Sequence, residues 1–138
     1  MSFVIGNSVA LAWCFEDEQT AEIMELLDRV VRAGAVAPQL WPIEAFNGLL
    51  IAERRGRISG IARRRLAGFL RDLPIRIDDE TVDQIWTAAA QIAELHQITA
   101  YDACYVELAV RLGLPLATAD NPMMTAARNA GVEVLRTG

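Results

Sequence analysis

Short apolar runs alternate along this chain with longer stretches of helical periodicity, and few architectures accept that order. Residues 3–5, 35–37, 75–77, 114–118 and 132–135 are brief, mostly apolar, and bounded by Gly, Pro or Asn. Such runs read as buried or half-buried strands. Between them, Ile23, Leu26, Leu27, Val30 and Val31 fall at i, i+3, i+4, i+7 and i+8, the stripe of an amphipathic helix that Gly34 stops. Trp41-Pro42 opens a helix through Leu49, Leu50 and Ile51 to Gly56, with Pro where a missing N–H costs nothing. Ser59 caps another through Leu70. Residues 79–95 carry Val82, Ile85, Trp86, Ala89, Ile92 and Ala93 on one stripe, and Thr99 begins a helix that Gly113 ends. A last helix covers 122–130. Strands alternating with helices imply right-handed βαβ units: an α/β chain folded as a three-layer α/β/α sandwich around a mainly parallel sheet.

Length and charge narrow the function. The 138 residues suit one domain, 1–138, without repeat or linker, and 53% hydrophobic residues supply a core. No run approaches the eighteen or so apolar residues of a membrane helix, so no membrane role is expected. The start, MSFVIGNSV, lacks the basic stretch of a signal peptide. Cys14 and Cys104 stand apart, without CxxC or a His at metal spacing, and read as free thiols of a cytoplasmic protein. A net charge of −5 argues against a generic nucleic-acid coat protein. Yet every cation is Arg, and Arg54, Arg55, Arg57, Arg63, Arg64 and Arg65 crowd into twelve residues. They form either a solvated helical hairpin or an edge whose guanidinium forks face phosphate.

Ligands of open parallel sheets sit beyond the carboxyl ends of the strands. Gly6-Asn7-Ser8 follows the first strand, Glu44 lies in the first turn after the second, and Asp120 follows the run 115–118. Asp102 lies in the first turn of the preceding helix. Each acid also has a local explanation. Glu44 suits a helix N-terminus, Asp102 completes capping-box spacing with Thr99, and Asp120 can cap the helix that Pro122 opens. Their apolar neighbours weigh the other way, because a carboxylate among apolar groups is costly unless paired or bound to a cation. Acids converging on one sheet edge would raise one another's pKa values, and a divalent ion reverses that penalty. Oxygen ligands without Cys or His favour Mg²⁺ or Mn²⁺ over Zn²⁺.

The segments FVIGNSVALAWCFEDE, LWPIEAFNGLLIAERRGRIS, ITAYDACYVELAVRLGLPLATAD and AARNAGVEVL resemble PIN-domain toxins of the VapC group, in order and at the usual spacing. The resemblance implies a parallel sheet of about five strands between helices. It implies Mg²⁺- or Mn²⁺-dependent cleavage of RNA by a cytoplasmic homodimer, held inactive by a VapB-type antitoxin. Glu44, Asp102 and Asp120 match the family's metal-site acids, and Thr118 and Asn7 or Ser8 its supporting polar positions. The implied chemistry is hydrolysis, the ion holding a scissile phosphate and activating water. The arginines between 54 and 65 would then grip RNA or antitoxin.

One position departs from the pattern. The family places Asp at the end of the first strand, whereas this chain reads Val4-Ile5-Gly6-Asn7-Ser8. Gly6 cannot ligate, so the site charge falls from −4 to −3 and metal affinity should drop. Either the natural gene encodes an impaired toxin, or an ancestral Asp was replaced, attenuating the enzyme; the second is the preferred expectation. Gly at a strand end also serves close backbone approach, which nothing in the neighbouring sequence demands. Two other classes compete: a catalytically inactive PIN module that only binds, and a Rossmann-like nucleotide-binding domain. The second of these lacks its glycine-rich phosphate loop. His96 reads as a helix C-terminal cation, and Trp13, Trp41 and Trp86 as core or dimer-interface residues. Met123 and Met124 suit either core or a partner surface, and Asn47 and Asn121 could hydrogen-bond near the acids.

Overall fold

The computed structural model describes residues 2–138. Four parallel strands, β1 (Val4–Ile5), β2 (Ala35–Ala37), β3 (Ile75–Ile77) and β4 (Leu116–Ala117), lie in the order β3-β2-β1-β4. Helices α1 (Asn7–Ala12) and α2 (Ala21–Ala33) join β1 to β2, and α3 (Trp41–Arg54) and α4 (Gly60–Asp72) join β2 to β3. Helices α5 (Thr81–Gln84), α6 (Ala88–His96) and α7 (Ala100–Leu112) lead to β4, and α8 (Asn121–Asn129) follows it.

Successive strand residues point to opposite faces. Every residue of β1, β2 and β4 is buried, so helices cover both faces and the three layers are present. Only β3, at the edge, is exposed along much of its length. The expected fifth strand is reduced to one parallel bridge, Leu116 to Val134. Leu116 donates to Glu133 and accepts from Leu135, both at 2.9 Å, and the pairing goes no further.

Side chains cap the starts of α2, α4, α7 and α8. Thr20, Ser59, Thr99 and Asp120 each accept the N–H three residues on, at 3.1, 3.0, 3.0 and 2.9 Å. Gly113, at φ 65°, ends α7 in the left-handed region that favours glycine. The helix expected over 79–95 is broken. Asp78 holds the start of α5 through the Glu80 N–H and the Thr81 hydroxyl, whereas α6 packs along α7. The chain bends between those anchors, with Thr87 at φ −121°, ψ −96°. Trp86 is consequently 86% exposed and not in the core, and Val82 leaves its stripe too.

Trp13 and Trp41 are core residues, as is Met123. Both cysteines are free thiols pushed up to about 11, chiefly by burial, so neither is a ready nucleophile at neutral pH. Among the described residues no helix is long and apolar enough to cross a membrane.

Candidate metal centre

The strand order fixes where a ligand would sit. The chain runs from β1 through β2 to β3 on one side and returns to place β4 on the other. The crevice beyond the carboxyl end of β1 is therefore the switch point of the sheet. Gly6-Asn7-Ser8 emerges there, flanked by the β4–α8 loop and by the start of α3.

That loop is held from the first turn of α1. Ser8 Oγ lies 3.2 Å from the hydroxyl of fully buried Thr118 and accepts the Ala119 N–H at 2.9 Å. Thr118 Oγ1 accepts the Asp120 N–H at 3.1 Å, and Asp120 Oδ2 caps α8. Asp120 thus has its local capping role, and its second oxygen makes no hydrogen bond among the described residues. Thr99 and Asp102 likewise form the expected cap.

Glu44, Asp102 and Asp120 share one electrostatic field. Burial first, then the charge on Asp120, then that on Glu44, push the Asp102 carboxyl above its ordinary value of 3.8. Only a hydrogen bond with Thr99 acts against them. Among the described residues none of the three acids forms an ion pair. Their oxygens do not all approach within 4.8 Å of one another. Each of the other two carboxylates is nonetheless near enough for its charge to be felt at Asp102, and like charges so placed disfavour joint ionisation.

Tyr105, unassigned from sequence, completes this cluster. Its hydroxyl donates to Glu44 Oε1 at 2.6 Å from a side chain that is 1% exposed. Burial, then the Glu44 charge, drive its phenol far above the usual range, so it remains a donor. It follows Asp102 by one helical turn on α7, and that spacing was the available signal. The expected apolar wrapping of Glu44 is only half present: Trp41 and Ala45 are buried, but Ile43 and Phe46 are exposed. Asn47 and Asn121 are exposed and hydrogen-bond to nothing in the site.

Gly6 is where the structure corrects the sequence reading. Its N–H donates to the Ala117 carbonyl at 2.7 Å, and a Cβ there would fall 2.7 Å from that oxygen and 3.2 Å from Thr118 Cβ. Close backbone approach, which the neighbouring sequence did not suggest, is the actual state of position 6.

The arginine group divides. Arg57 is held by Asp17 and Glu18 and stacks 3.9 Å from the Phe15 ring centre, and Arg63 pairs with Glu53. These two brace the α3–α4 hairpin. Arg54, Arg55, Arg64 and Arg65 are exposed and make no ion pair among the described residues.

A second acidic group, Asp78, Asp79 and Glu80, does bring its oxygens within 4.8 Å of one another. Arg111 occupies it, however, donating to both Asp78 oxygens at 3.1 and 2.8 Å and to Glu80 at 3.1 Å. The same guanidinium holds buried Glu107 at 2.8 Å, and its hydrogen bonds hold Asp78 below the usual carboxylate range. One guanidinium offsets only part of that group's charge, but it already holds both Asp78 oxygens and one of Glu80. An apolar groove of about 550 Å³ between α3, α4 and β3 contains none of the acids.

The PIN-domain family model matches residues 4–129. This chain belongs to the PIN-domain family. Members of that family are generally metal-dependent nucleases. Solved structures share the PIN fold at low identity. PAE2754 from Pyrobaculum aerophilum aligns at TM-score 0.72 and 20% identity, over 97% of this chain and 89% of the other. FitAcB from Neisseria gonorrhoeae aligns at 0.69 and 19%, over 99% and 98%. VapBC2 from Rickettsia felis, bound to a DNA fragment from its promoter, aligns at 0.67 and 9%, over 97% of each chain. Comparison with curated proteins finds no match. Hard oxygen donors with uncompensated charge, at the switch point of a PIN fold, suit a divalent cation of the Mg²⁺ or Mn²⁺ class.

Proposed function

We propose that this chain, one PIN domain over residues 1–138, is the toxin of a type II toxin–antitoxin system and hydrolyses RNA phosphodiesters with Mg²⁺ or Mn²⁺. The observation that carries this reading is that Glu44, Asp102 and Asp120 share one field and, among the described residues, none of them forms an ion pair. In this reading those three acids hold the ion. Tyr105 orients the Glu44 carboxylate, and Ser8 and Thr118 fix the loop that carries Asp120. When bound, the ion supplies charge neutralisation at the phosphate and an acidified water. The VapC-like segments support a VapB-type antitoxin, a homodimer and a cytoplasmic setting, and the name VapBC2 borne by a structural neighbour agrees. On the α3–α4 hairpin, Arg54, Arg55, Arg64 and Arg65 form no ion pair among the described residues and are the cations this reading assigns to RNA backbone or antitoxin.

Gly6 supports a second reading, a PIN module that binds without cutting. Cleavage of a mixed RNA pool with Mn²⁺, abolished by EDTA and by Asp102→Asn, is the outcome expected of the nuclease. Gly6→Asp adds a fourth carboxylate and should raise cleavage at least tenfold. Because its Cβ must part β1 from β4, it should also lower the stability of the metal-free protein by about 1–3 kcal/mol. Mn²⁺ binding without cleavage in both proteins would establish the binding-only reading instead.

A further inference from the structure

A side chain at position 6 would press on the Ala117 carbonyl, and the residue after it carries an unanswered oxygen. Asn7 Oδ1 is fully buried and accepts no hydrogen bond. Buried polar atoms are nearly always satisfied, so an orphan of this kind points to a missing ion or water.

The packing of α1 on α3 says which way Asn7 faces. A Cβ on Gly48 would fall 2.6 Å from Leu11 Cδ1, so those two positions meet. Leu11 lies four residues after Asn7 on α1, and Gly48 four residues after Glu44 on α3. Side chains at that spacing share a helix face. Both helices start from the carboxyl edge of paired parallel strands, β1 and β2, and run away from it together. One turn back towards that edge, the faces that meet at Leu11 and Gly48 carry Asn7 on α1 and Glu44 on α3. An amide carbonyl is a hard donor of the class Mg²⁺ and Mn²⁺ accept.

We propose that Asn7 Oδ1 is a metal ligand of this pocket and supplies, one residue further along, the donor that Gly6 cannot. The assignment rests on the metal-site reading given above. As a neutral donor it leaves the site charge at −3, so the pocket binds its ion with less electrostatic help than one holding four carboxylates.

The test is Mn²⁺ titration of the full metal-free chain by calorimetry, with Asn7→Ala, Asn7→Asp and Glu44→Gln in parallel. Circular dichroism and Tm in EDTA verify folding. Asn7→Ala should weaken Mn²⁺ at least tenfold. Asn7→Asp should tighten it at least tenfold, since the added oxygen then carries charge. Glu44→Gln should weaken it in any case. Loss with Glu44→Gln but wild-type affinity in folded Asn7→Ala overturns the ligand assignment and leaves the metal site standing. The same holds if Asn7→Ala only lowers the Tm in EDTA, because the amide would then be donating to the acids of the empty pocket. If Glu44→Gln also binds as the wild type does, the metal-site reading itself fails.

Discussion

At the scale of single residues, the site depends on carboxylates kept apart and one of them aimed. Tyr105 aims Glu44: its buried hydroxyl spends its only proton on Oε1 and leaves Oε2 free. Tyr105→Phe keeps the ring in the core and removes only that bond. Loss of such a supporting partner typically weakens metal binding about 10–100-fold. We expect that range for Mn²⁺ in calorimetry, with a Tm in EDTA little changed; unchanged affinity would reduce Tyr105 to packing. Asp102 gives a pH signature. Its carboxyl is raised in the folded state, so the folded protein holds the proton more tightly than the unfolded chain. The stability this contributes is full below the ordinary value of 3.8 and lost as pH rises through the raised value. Above that window the ionised group is a strain on the metal-free fold. Asp102→Asn should therefore raise the Tm in EDTA at pH 7, flatten its fall with pH in the acid range, and abolish Mn²⁺-dependent cleavage. A lower Tm at pH 7 would mean that the acids do not repel.

At the scale of elements, the sequence was most readable where local chemistry and tertiary placement agree. Ala35–Ala37 and Ile75–Ile77 are the strands expected, and Ser59, Thr99 and Asp120 cap the helices expected. The three acids stood out as candidates because each sits at a strand end or in a first helical turn, where this topology gathers ligands. Failures fell where long-range contacts decide. Nothing local marks Gly6 as pressed against Ala117, since that carbonyl belongs to β4, adjacent in the sheet but distant in sequence. The apolar stripe over 79–95 concealed a break imposed by Asp78, and Asp78 is set by Arg111, thirty-three residues away. This junction carries its own prediction. Arg111 joins α7 to the β3–α5 corner through Asp78, while Glu107, one turn earlier on α7, holds the same guanidinium; the two acids are 2% and 3% exposed. Removing one partner of a buried ion pair costs about 3–5 kcal/mol, because the remaining charge is stranded. Arg111→Ala should thus lower the Tm by on the order of 10–20 °C in a domain of this size. Tm is read in EDTA to separate this from metal effects, and a shift of only a degree or two would show the network to be solvated.

At the scale of the whole molecule, the proposed action on RNA requires a chain of net charge −5 to place cations away from its acids. The hairpin between α3 and α4 does so. Ten residues of helix separate Glu44 from Arg54, about 15 Å of rise. Arg57 and Arg63 are consumed in bracing the hairpin, which leaves Arg54, Arg55, Arg64 and Arg65 to meet phosphate. Each phosphate neutralised on a single strand releases counterions and steepens the fall of log affinity with log salt by about 0.7. Binding of a single-stranded RNA in EDTA, where no cleavage occurs, should therefore lose about 0.7 from that slope for each of these four replaced by Ala. Arg57→Ala should act differently, lowering stability while leaving the slope nearly unchanged, because its guanidinium is already matched to Asp17 and Glu18. If all four substitutions leave the slope as it was, the free arginines do not carry RNA, and the hairpin's exposed charge belongs to a protein partner instead.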